Sequence, residues 1–165
     1  RKTEAWGHQV ADAWEHFSYT EIVEKIKNVA LGLQDLGIKA GDRVAILAEN
    51  RPEWSFADLG ILSLRGVNVP IYTTQAVEQI RYILEDSGAR ALFISGKKLW
   101  KHAAAALEGV EQLEKLIFFD EDAVPENDSR AMTFAQLEAK GDELNKIDER
   151  AYARLLAEIK TDDLA

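Results

Sequence analysis

The chain has 165 residues, 47% hydrophobic and 30% charged, which is enough for one domain burying roughly two thirds of its unfolded surface. Its 29 acidic against 20 basic side chains argue against a nucleic-acid surface, because phosphate binding needs a local excess of Lys and Arg. With no cysteine, disulfides and thiolate chemistry are excluded, and His8, His16 and His102 lack the spacing of metal ligands.

No stretch approaches the ~20 apolar residues of a membrane span, since the best candidate, Phe56 to Tyr72, contains Asp58, Arg65 and Asn68. No signal peptide opens the chain, and a cytoplasmic location is expected, with peripheral contact at a membrane left open. Because the chain starts at Arg1 and not at Met, a piece of a longer protein is expected.

In chain order, Glu4 to Phe17 carries Trp6, Val10, Trp14 and Phe17 on two short extended runs, with Asp12 at the turn of a hairpin. Ser18 and Glu21 have the spacing of a capping box. Tyr19, Ile22, Val23, Ile26, Val29, Ala30 and Leu33 then fall on one helical face, and Gly37 stops the helix.

Val44 to Ala48 is a continuous apolar run, the pattern of a strand covered on both faces. Pro52 fits the first position of a helix through Trp54, Ala57, Ile61 and Leu64 that ends at Gly66. Val67, Val69 and Ile71 alternate with Asn68 and Pro70, which suits an edge strand that tolerates a missing donor. Gly41 to Tyr72 is therefore a βαβ unit.

A second amphipathic helix holds Val77, Ile80, Tyr82, Ile83 and Leu84 and ends at Gly88. Ala91 to Ser95 reads as a buried strand, Lys97 to Leu107 as a helix thinned by four alanines, and Leu116 to Phe119 as a strand. Strand starts at Val44, Val67, Ala91 and Leu116 are 23, 24 and 25 residues apart, the rhythm of a doubly wound, mostly parallel α/β sheet in three layers behind the N-terminal β-hairpin. Glu121 to Arg130 is polar and turn-rich, Phe134 to Leu144 and Arg150 to Ile159 read as helices, and Thr161 to Ala165 caps no element. Residues 1–120 are expected to form the α/β core, and residues 121–165 a polar loop and helices.

Chemistry-bearing motifs are scarce. No G-x-G-x-x-G follows a strand, and no serine sits in a G-x-S-x-G elbow. Ser95-Gly96-Lys97-Lys98 stands where a strand gives way to a helix, a place that attracts phosphate, but a Walker loop needs glycine at 91, where alanine stands. Glu49, Glu53, Asp58, Glu85 and Asp86 read as helix-end and surface charges. Trp54 and Phe56 are expected to leave apolar surface exposed, which makes a homodimer one expected state of the isolated chain.

Phe17-Ser18-Tyr19-Thr20-Glu21-Ile22, Leu36-Gly37-Ile38-Lys39-Ala40-Gly41-Asp42-Arg43-Val44-Ala45-Ile46 and Glu49-Asn50-Arg51-Pro52-Glu53-Trp54 resemble the N-terminal region of adenylate-forming enzymes. Arg65 to Tyr72 and Ile83 to Arg90 look like further blocks of the same family, which includes acyl-CoA synthetases, luciferases and peptide-synthetase adenylation domains. The wording is most similar to bacterial long-chain fatty acyl-CoA synthetases. The resemblance implies the N-terminal domain of an acyl-CoA synthetase-like fold, with ATP, CoA and Mg²⁺ as cofactors of the full-length enzyme and a fatty acid as substrate.

In such enzymes a Ser/Thr/Gly-rich phosphate loop follows a D-D-L-A sequence, which here is Asp162 to Ala165. The later motifs have no counterpart in these residues, so the chain alone is expected to be inactive and to hold no cofactor tightly. The resemblance raises Lys97 and Lys98 as contacts to CoA phosphate, and it assigns no catalytic residue to this segment. A free-standing flavodoxin-like binding or interaction module, and a piece of another acid–thiol ligase, are the competing readings.

Overall fold

The computed structural model describes residues 4–10 and 13–164. Strands β1 (Glu4–Val10) and β2 (Ala13–Ser18) form the expected antiparallel hairpin, with Trp6 opposite Phe17; Asp12, assigned to its turn, lies outside the described residues. Helix α1 (Tyr19–Asp35) begins with the capping box: Ser18 Oγ accepts from the Glu21 N–H at 3.2 Å, and Glu21 Oε2 accepts from the Ser18 N–H at 2.7 Å. It ends in a Schellman turn, with Ile38 N–H donating to Leu33 O, Gly37 N–H to Gln34 O, and Gly37 at φ +85°.

The main sheet is parallel, in the order β4-β3-β5-β6-β7, with β3 Arg43–Leu47, β4 Val67–Ile71, β5 Ala91–Ile94, β6 Lys115–Phe118 and β7 Ala131–Thr133. The helices between and after these strands are α2 (Pro52–Ser63), α3 (Val77–Ser87), α4 (Lys97–Ala103), α5 (Phe134–Ile147) and α6 (Ala151–Ala157). Two apolar clusters sandwich the sheet. Ile22, Val29, Phe56, Ile61, Phe134 and Leu137 bring α1, α2 and α5 to one face, with Tyr152 and Leu155 of α6 at its rim. Ile80, Leu84, Leu99 and Ala103 bring α3 and α4 to the other. This is the three-layer arrangement that near-continuous apolar strands require.

The structure departs from the sequence reading in six places. Tyr19, Val23 and Tyr82 point to solvent, because the buried stripes of α1 and α3 are narrower than their apolar residues suggest. Phe56 is 1% exposed: Trp6 stacks on it at 5.6 Å and Phe17 meets it edge-on at 5.5 Å, so the hairpin covers the surface expected to be bare, and Trp54 is half-buried. The helical run after Lys97 tightens into a 3₁₀ turn at Ala104–Leu107.

At the end of α2, Arg65 and not Gly66 takes the left-handed conformation, at φ +62°. Gly66 is needed for space, since a Cβ there would come within 3.2 Å of Ile61 O. A fifth strand, β7, follows the polar loop, too short for period-2 alternation to reveal it. Lastly, Asp163 does cap structure: it accepts hydrogen bonds from the Lys160 N–H and from Arg65.

Candidate functional site

In an open parallel sheet, ligands settle outside the C-terminal ends of the strands where the strand order reverses. Here β3 is followed by β4 on one side and, after the return crossover, by β5 on the other, so the reversal lies between β3 and β5. Their C-terminal ends deliver Glu49 and Ser95. Ser95 is buried and donates through Oγ to Glu49 Oε2 at 2.5 Å, while its backbone joins both neighbouring strands through Leu47 O and the Asp120 N–H.

Beside this pair, Arg51 stands before the first turn of α2. Its guanidinium donates to both Glu53 carboxylate oxygens at 2.8 and 3.1 Å and to Asp120 Oδ1 at 2.8 Å, and it lies 5.4 Å from the centre of the Phe119 ring. These partners hold the Arg51 charge more firmly than usual, the Glu53 hydrogen bonds foremost. Burial pushes the Glu53 carboxyl upward, but the Arg51 hydrogen bond and charge outweigh it, and the group sits below its ordinary value. Gly96 makes room for this network, since a Cβ there would lie 2.3 Å from Asp120 Oδ2.

Lys97 and Lys98 sit on the outer rim, at the start of α4. Lys97 Nζ is 2.8 Å from Asp122 Oδ2, with both side chains more than half exposed, and no described residue pairs with Lys98. A cleft of about 570 Å³ opens on the β4 side of β3, lined by Glu49, Asn50, Trp54, Ile71, Tyr72 and Thr73. Arg51 is neutralised by two carboxylates, whereas on the neighbouring rim Lys97 is held only by an exposed carboxylate and Lys98 by no described side chain. The described residues hold no group of three His, Cys, Asp or Glu side chains placed for a metal ion. His102 Nε2 lies 2.7 Å from Gln75 O, and His16 packs against Trp14.

Sequence reasoning missed the network of Arg51, Glu53, Ser95, Glu49 and Asp120. Its signal was positional: Glu49, Ser95 and Asp120 each lie just past an apolar strand, where side chains leave the core together.

A sequence profile described as AMP-binding enzyme matches residues 2–165. The chain belongs to that family. Among curated AMP-binding relatives it is 45% identical over 80 residues to the long-chain-fatty-acid–CoA ligase FadD15 of Mycobacterium bovis, covering 48% of this chain and 13% of the relative. It is 29% identical over 140 residues to the long-chain-fatty-acid–CoA ligase ACSBG1 of Rattus norvegicus, covering 85% and 19%. The chain thus spans less than a fifth of the length of these relatives.

Among solved structures, coronafacic acid ligase from Pectobacterium brasiliense superposes with a TM-score of 0.68 at 20% identity, over 76% of this chain and 25% of that one. The adenylation and carrier didomain of carboxylic acid reductase from Segniliparus rugosus gives 0.71 at 20%, over 78% and 20%. Both establish the fold: the chain is an α/β unit of the kind found in acyl-CoA ligases and adenylation domains.

Proposed function

We propose that the chain is the N-terminal part of a long-chain fatty acid–CoA ligase. In the proposed reaction a fatty carboxylate attacks the α-phosphate of ATP, giving acyl-adenylate and pyrophosphate. The CoA thiol then forms the thioester and AMP leaves. The observation that carries this reading is the family match along residues 2–165, joined to relatives named as long-chain-fatty-acid–CoA ligases.

Residues 1–165 supply a partial N-terminal domain, with residues 1–120 as α/β core and 121–165 leading toward the phosphate loop. Its role is scaffold and one wall of the substrate channel, and the work is cytoplasmic, with peripheral contact at a membrane surface. No helix of the described residues is long and apolar enough to cross a membrane.

Lys97 and Lys98 are the proposed contacts to a CoA phosphate: they are exposed ammonium groups beside the strand ends where ligands gather. The Mg²⁺ that accompanies ATP is assigned to no residue of this segment. The chemistry of adenylation belongs to motifs absent from these 165 residues, so the segment by itself turns over nothing.

The test is to read the gene past Ala165 and assay the encoded protein for pyrophosphate exchange and thioester formation with acids of graded chain length. ATP- and CoA-dependent turnover of long-chain acids by that protein, with none by the 165-residue chain, is expected. A stop codon directly after Ala165, or turnover confined to aryl or amino acids, would overturn the reading in favour of a stand-alone module or another ligase.

A further inference from the structure

Strand β4 is an edge of the main sheet and pairs, among the described residues, with β3 alone. The Val67 N–H donates to Asp42 O at 2.9 Å, on the β3 side. By the alternation of a strand, Val69 and Ile71 also turn their backbone groups toward β3, and Asn68 turns its N–H and C=O outward. Pro70 is on the outer side too and brings no N–H. The outer edge therefore offers its donor in the first half of β4, next to the turn at Arg65.

That turn is where the end of the described chain is held. Arg65 donates from Nε and Nη2 to the two Asp163 carboxylate oxygens, each at 2.8 Å, and Glu158 Oε2 lies 4.0 Å from Nη1. Ile159, Lys160 and Leu164 line a groove of about 350 Å³ together with Leu59 and Leu62 of α2 and Tyr152 of α6. Residues 158–164 thus run past α2 and reach the N-terminal end of β4.

The crossovers give the direction. β3 reaches β4 through α2 on the face that also carries α1, α5 and α6, and β4 returns to β5 through α3 on the opposite face. The two moves run in opposite directions on opposite faces, so they share one hand, as parallel crossovers nearly always do. After β7 the chain follows α5 and α6 on the α2 face. A parallel strand reached from there with the same hand lies on the β4 side of the sheet, because placing it beyond β7 would reverse the hand.

We propose that the outer edge of β4 receives the stretch that follows Leu164 in the longer protein, as a sixth parallel strand, with the Arg65–Asp163 pair as the latch at its start. This rests on the reading above that the chain is part of a longer ligase. Asn68, in the middle of that edge, is held toward α2, where its Nδ2 donates to Asp58 Oδ1 at 2.7 Å.

Residue-resolved amide exchange tests this on two proteins, the 165-residue chain and the longer protein encoded by the gene. The Asn68 amide is expected to slow on the order of 100-fold in the longer protein, while Val67, Val69 and Ile71, already bonded toward β3, change far less. Asp163→Asn in the longer protein is expected to reverse part of that protection, and near-UV circular dichroism confirms that the variant is folded. Equal exchange of Asn68 in both proteins overturns the proposal. So does protection in the 165-residue chain that grows with concentration, which would give the edge to a second copy. The pyrophosphate-exchange assay separates the two readings: an active longer protein with unprotected Asn68 sinks the strand alone, and an inactive one with protected Asn68 sinks the ligase alone.

Discussion

Helix α5 is seated on α1 through one glycine from each helix, Gly141 against the Asn28 backbone and Gly32 against Leu137, which makes Gly141→Ala a sharp test of the fold. A Cβ built on Gly141 lies 1.9 Å from Asn28 O and 2.6 Å from Asn28 C, both backbone atoms of α1. Reaching ordinary contact at 3.4 Å requires the helices to part by about 1.5 Å, and no rotamer change relieves a clash with backbone.

Intrinsic helix propensity argues the other way, since alanine is favoured over glycine in a helix interior by about 1 kcal/mol. Overpacking of a close interface costs about 1–3 kcal/mol, and a backbone clash belongs at the upper end, so the net loss is about 2 kcal/mol. For a chain of this size that lowers the thermal midpoint by roughly 4–8 °C. Gly32→Ala should act alike, because its Cβ meets Leu137 O at 2.3 Å. The double variant should lose less than the sum, since both changes part the same helices. Ala139→Gly, on the exposed side of α5, calibrates propensity at about 1 kcal/mol of destabilisation. A Gly141→Ala midpoint at or above that of the parent chain would refute the seating of α5.

Under the proposed ligase reading, Lys97→Ala with Lys98→Ala in the longer protein is expected to raise the apparent KM for CoA several-fold and leave pyrophosphate exchange unchanged; an unmoved CoA dependence removes both residues from the proposed site. Hydrogen bonds from Arg65 and from the Lys160 N–H hold the Asp163 carboxyl down at about 2. The lowered value means that its contribution is present above the ordinary carboxylate range and is lost as pH falls through about 2. Carboxyl-carbon NMR should show that titration, and Arg65→Gly should return it toward the ordinary range. Arg51→Met leaves Glu53 and Asp120 without their shared cation, and a loss of about 1–2 kcal/mol is expected in thermal unfolding at low salt, shrinking as salt is added.

What the sequence disclosed and what it hid divide along physical lines. The apolar runs of β3, β5 and β6 are read directly, because a strand covered on both faces has to be apolar at every position. Caps are equally legible: Ser18 with Glu21, Pro52, Gly37 and Gly88 each satisfy a local backbone need that few residue types meet. The partners of Arg51 were illegible, since Asp120 is 69 residues away and only the parallel register of β5 and β6 brings it near. Arg65 shows the same limit. Its left-handed backbone conflicts with local preference, and the ion pair that accompanies it spans 98 residues.

The two ends of the sheet differ in how their cations are used. At the N-terminal end, Arg90 reaches Asp42, Glu114 and Gly37 O, and Arg43 reaches the Ser87 and Gly88 carbonyls. These two guanidinium groups are consumed by neighbouring turns and act as staples across that end. At the C-terminal end the sharing is incomplete: Arg51 is balanced by Glu53 and Asp120, but Lys98 has no partner among the described residues and Lys97 holds only an exposed carboxylate that solvent screens. An exposed pair of that kind contributes little to stability, so an incoming phosphate can displace Asp122 from Lys97 at small cost. The same exchange at Arg90 would break its four side-chain hydrogen bonds, and this difference in cost favours the C-terminal rim for the proposed phosphate contact.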